Sequence, residues 1–193
     1  MNSSLFQALA AALAATKKKK KLASTATLAD NWNAGLLNID IPHSPQLACG
    51  RPEKPELVAP GAVQQRNPKT PEGRARLLHA IVHIEFSAIN LALDHAARFP
   101  GMPRQYYADW IGVAAEEAYH FQILRERLLS LGHDYGDFPA HGGLWEMAEK
   151  TTGDVLARMA LVPRLLEARG LDATPPIQRK LEQVGDHESA RVL

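Results

Sequence analysis

Glu117, Ala118, Tyr119 and His120 form a Glu-x-x-His in a strongly helical stretch, and a lone carboxylate, Glu85, lies inside another apolar helix. On an α-helix, positions i and i+3 project from one face about a turn apart, so Glu117 and His120 can grip one ion. Dinuclear iron and manganese bundles use this motif on two helices and a single Glu on each of the other two. By that count the sequence supplies roughly half to two-thirds of such a site.

The surroundings of each acid bear on this reading. Glu85 has Ile81, Val82, Ala88 and Ile89 as its three- and four-residue neighbours, so it sits within an apolar face. A carboxylate there must be protonated, salt-bridged or bound to a cation, and an arginine partner is as good an answer as a metal. Glu117 is flanked by Val113, Ala114 and Phe121. Trp110, Tyr119 and Phe121 read as packing residues, although an aromatic beside a metal centre could serve redox chemistry. His79 and His83, four apart, read as satisfied core or supporting histidines rather than ligands. Asp186-His187-Glu188 has Arg191 where a second Glu-x-x-His would need histidine, and reads as a salt-bridged pair. Glu167 follows the line of Leu156, Ala160 and Pro163, with Arg164 beside it, and by pattern alone reads as a surface acid.

The elements that must position these residues follow from the punctuation. Thr70-Pro71-Glu72 is an N-cap, a first-turn proline and an acid at the positive end of the dipole. It opens a first core helix from Pro71 to Arg98, closed by Pro100-Gly101. Pro103 opens a second, stopped at Leu131-Gly132. After a loop containing Gly136, Pro139, Gly142 and Gly143, a third is expected from Leu144 to Arg169, ending at Gly170. Thr174-Pro175-Pro176 is expected to cap a fourth, with Ile177, Leu181 and Val184 at helical spacing. That fourth helix reaches Leu193 without a stop signal and reads as truncated. Long helices without period-2 strands indicate an all-α antiparallel bundle over residues 70–193.

Residues 1–69 differ. Leu5 to Ala15 is Ala-rich, and Lys17 to Lys21 follow, read as a solvated lysine run after a short helix. Five prolines between Pro42 and Pro60 argue for an extended arm. The chain has 193 residues, is 46% hydrophobic and carries a net charge of +1. Such a charge makes no whole-protein case for nucleic acid or membrane. No uninterrupted apolar run approaches the ~18–20 residues of a membrane span, and the lysines follow the apolar stretch, the wrong order for a secretory signal. A cytoplasmic protein is expected. Cys49 is the only cysteine, so any metal must be held by oxygen and imidazole, which suits iron or manganese.

The segments HIEFSAINLALDHAARF (83–99), EEAYHFQILRERLLSLGHDYGDFPAHGGLW (116–145), RMALVPRLLEARGLD (158–172) and the proline-rich GRPEKPELVAP (50–60) carry a resemblance over most of the chain. It resembles the bacterial ferritin-like family called domain of unknown function 455. That family is similar in architecture to the di-iron monooxygenase that hydroxylates a modified tRNA base. The resemblance implies a ferritin-like four-helix bundle, a dinuclear iron cofactor and ligand roles for Glu85, Glu117, His120 and Glu167, against the surface reading of Glu167. It implies an oxygen-dependent oxidase or hydroxylase acting on an unidentified small molecule or modified nucleoside. The family pattern calls for a further Glu-x-x-His along the fourth helix, and this sequence ends before it, so the chain reads either as a fragment or as a form with an incomplete, inactive site. Iron binding without an organic substrate, or a bundle whose acids meet Arg or Lys, are the other classes. An apolar groove left by a short fourth helix would favour a homodimer.

Overall fold

A computed structural model of the chain describes residues 3–39, 47–63 and 66–193, with side chains of 164–171 outside the description. The fold is mostly helical: α1 (Leu5–Leu13), α2 (Lys18–Asn33), α3 (Pro71–Arg98), α4 (Arg104–Ser130), α5 (Gly143–Glu149), α6 (Val155–Met159), a π-helical segment Ala160–Glu167, α7 (Ala168–Gln183) and α8 (His187–Val192). The described strands are β1 (Ser3–Ser4) and β2 (Leu37–Asn38), paired in parallel with Ser3 opposite Leu37. The chain divides into two compact units, residues 1–53 with 85–119, and residues 54–84 with 120–193.

In the first unit, α1 buries Leu5, Leu9 and Leu13, and α2 buries Lys21, Thr25, Leu28 and Trp32, each set at helical spacing. Lysine in that set departs from the solvated run expected of Lys17 to Lys21. The reason is register: Lys21 lies in phase with Thr25 and Leu28, and its ammonium donates to the Leu13 carbonyl left unpaired at the end of α1. Burial pulls Lys21 down to about 8, so it stays mostly charged at neutral pH. Gly50 N–H donates to the same carbonyl at 2.8 Å. A Cβ at Gly50 would stand 2.2 Å from the Ala14 oxygen, so only glycine permits this approach. Phe6 meets Tyr107 edge-on, with ring centroids 5.7 Å apart. The Tyr107 hydroxyl donates to Phe99 O at 3.0 Å and accepts from Met102 N–H at 3.1 Å, closing the α3–α4 turn.

In the second unit, the start of α3 has the expected cap, Gly73 N–H donating to Thr70 Oγ1 at 3.0 Å. Gly132, at φ +84°, follows the end of α4. The extended segment around Leu57 pairs with the loop after α4: Val58 N–H donates to Ala140 O at 2.8 Å, and Ala140 N–H to Glu56 O at 2.9 Å.

The third helix expected from Leu144 to Arg169 is interrupted. Residues 150–154 break it, where Thr151, Thr152 and Gly153 lower helix propensity and Asp154 caps a new start by accepting from Leu156 and Ala157 N–H. The stop expected at Gly170 and the cap at Thr174-Pro175-Pro176 lie inside α7. Proline's fixed φ is a helical value, so the turn persists with missing donors. The expected fourth helix instead breaks at Gly185 (φ +78°), and Asp186 caps α8 through Ser189 N–H at 3.1 Å.

Among the described residues, α3 alone is long and apolar enough to cross a membrane, although no uninterrupted apolar run of that length was expected. Of its most apolar window, 61% is buried inside the protein, as a core helix requires.

Candidate metal centre

Helix α3 offers Glu85, half-buried and flanked by buried Val82, Ala88 and Ile89. Helix α4 offers Glu117, half-buried beside Ala114, and one turn further along the same unbroken helix the exposed His120. Carboxylate oxygens of Glu85 and Glu117 and a ring nitrogen of His120 all lie within 4.8 Å of one another. Two carboxylates brought that close repel, and a cation between them removes the repulsion. The donors are two hard anionic oxygens and one imidazole, with no thiolate. They fit iron or manganese, and zinc less selectively. A centre of this kind has apolar residues on its inner side, Ala114 and Phe121 being fully buried. Outward, Ile84 is 48% exposed and Tyr119 62% exposed, so the reading of Tyr119 as a packing residue does not hold: its register turns it away from the buried Ala118 and Phe121.

The neighbouring histidines are committed elsewhere. His83 donates through Nε2 to the His141 carbonyl at 3.2 Å, which leaves Nδ1 to accept from the Tyr135 hydroxyl at 3.0 Å. His79 is buried and accepts Gly136 N–H on Nε2 at 3.0 Å. Burial, helped by the neighbouring His83, lowers its pKa to about 4, so the ring is neutral near pH 7. Both are satisfied histidines, in line with their spacing on a largely buried helix. Tyr135, which meets the Nδ1 that this tautomer leaves as an acceptor, carried no signal in the sequence because its partner stands 52 residues away.

Asp186 and Glu188 belong to a different structure. Arg127 donates to Asp186 Oδ1 at 2.7 Å and reaches Glu188, and Arg74 lies 3.4 Å from Asp186. These acids join α8 to α4 as salt-bridged residues, and Glu188 does not continue the stripe of Ile177 and Leu181 once Gly185 has broken the helix. Glu167 ends the π-helical segment, and its side chain lies outside the described residues.

Comparison with known proteins adds kinship without a function. An uncharacterized protein of Haemophilus influenzae is 54% identical over 149 residues, which cover 74% of this chain and 52% of the relative. The chain thus spans about half the length of the curated relative it matches. No solved structure matches. A family model described as protein of unknown function (DUF455) matches residues 14–193, and the chain belongs to that family.

Proposed function

We propose that Glu85, Glu117 and His120 are iron ligands, and that the protein is an oxygen-dependent di-iron oxidase or hydroxylase built on a ferritin-like four-helix bundle. The observation that carries this reading is the convergence of the three ligand atoms within 4.8 Å. The architecture is supported by two long core helices, 28 and 27 residues, joined by a short turn that sends the chain back along its own direction. By the family resemblance, Glu167 adds a third carboxylate, and manganese is the alternative metal.

Bound ferrous iron would supply reducing equivalents and an open position for dioxygen. The chain's own groups then have distinct tasks. Glu85 and Glu117 neutralise the cation, His120 gives a neutral nitrogen, and Ala114 and Phe121 keep water from the inner side. The outer side, where His120 is exposed, is where an organic substrate would approach. A single cysteine, with no intrachain disulfide, accords with a reducing cytoplasm.

Oxygen-electrode traces test the reading. The Fe(II)-loaded chain is expected to consume oxygen faster than the same iron in buffer, and Glu117→Ala to lose that excess. Uptake at the buffer rate would contradict the proposal. Uptake with no product from any organic substrate offered would move it to iron sequestration.

A further inference from the structure

We infer that the exposed face of the α1–α2 hairpin is a docking site for the phosphate backbone of a nucleic acid. Lys20 heads a stripe on α2 that continues through Ser24, Thr27 and Asn31, spaced three and four residues apart and therefore on one face, and Lys17 is the residue that caps the helix. Together with Ala8 and Ala11 of α1, Ser24, Thr27 and Asn31 line a shallow groove. Lys17, Lys19 and Lys20 are exposed, and five lysines precede the first acid of the chain, Asp30. Lys20, one helical turn before the groove's Ser24, and the hydroxyl and amide groups along the groove are the kind of donors that contact phosphate and sugar without reading bases. The Ser24 hydroxyl is already given to the Lys20 carbonyl at 2.7 Å, so Thr27 and Asn31 are the donors on offer.

Two further observations favour a partner over a merely solvated run. The lysines form the cap and first turn of a 16-residue helix that has no acid in that turn. Cations there oppose the positive end of the helix dipole, an electrostatic cost that an anionic partner removes. The run is also held in place, because Lys21 is fully buried and hydrogen-bonded to the Leu13 carbonyl, which fixes the rotation of α2 and hence the direction of the stripe. An amphipathic helix that lies in an anionic bilayer buries apolar side chains there. Here Leu5, Phe6, Leu9, Leu13, Leu28 and Trp32 are all turned inward. Nucleic acid is the better match.

Fluorescence anisotropy with a labelled oligouridylate and a labelled DNA duplex tests this on the whole chain. Wild type should bind both with little sequence preference, and affinity should fall steeply with salt. In the K17A/K19A/K20A variant, affinity for the single strand should drop on the order of tenfold, and the log–log salt slope should become shallower by about 2. The same variant should melt no lower than wild type, since like charges at the dipole end are removed, while replacement of the three by arginine should keep binding. Equal affinity of wild type and the alanine variant would overturn the inference. So would lysine-dependent binding to phosphatidylserine vesicles with none to either oligonucleotide.

Discussion

A ring nitrogen that accepts a backbone N–H cannot take up a proton without losing that bond, and His79 Nε2 is so placed. Its folded pKa of about 4 lies below the ordinary 6.5. Between those values the unfolded chain binds the proton and the folded chain does not, so stability falls as pH drops from 6.5 towards 4 and is unaffected above. The gap corresponds to about 3 kcal/mol. His79→Gln keeps an acceptor for Gly136 and removes the titration. Urea melts at neutral pH and near pH 4.5 should show wild type losing more stability than the variant, and equal losses would contradict the assignment. At this scale the Glu-x-x-His was legible because its spacing is local and its flanks are apolar. That Glu85 meets Glu117 and His120 was not legible from pattern, since either acid could have faced an arginine instead, and only the family resemblance implied it. Lys21 was illegible for the same reason: its burial depends on a carbonyl eight residues away, at the end of another helix.

Helices α3 and α4 were readable almost to the residue because each carries its own punctuation, a proline start (capped by Thr70 in α3) and a glycine or proline stop. The region after Leu144 was not, because its breaks come from Thr151–Asp154 and Gly185–Asp186, while the more conspicuous Gly170 and Pro175-Pro176 are carried within α7. Asp186 is the residue on which α8 depends, serving at once as its N-cap and as the buried partner of Arg127. Removing one member of a buried ion pair leaves the other uncompensated, typically at 3–5 kcal/mol, with a lost cap adding about 1. Asp186→Ala should therefore destabilise by about 3 kcal/mol or more in chemical denaturation. A loss below about 1 kcal/mol would show that the pair does not secure α8.

Across the whole molecule, α3 and α4 carry all the described candidate ligands. The all-α class followed from periodicity, since no segment alternates with the two-residue period of a strand. Family membership followed from longer motifs, and it brings no established activity with it. The central claim is that Glu85, Glu117 and His120 form a metal site, and metal stoichiometry tests it most directly. After anaerobic Fe(II) loading and desalting, wild type should retain at least about one iron per chain, as two carboxylates and an imidazole suffice to hold one ion. Glu117→Ala, with unchanged helical content, should retain none. Iron absent from wild type, or equal in the two proteins, would contradict the account.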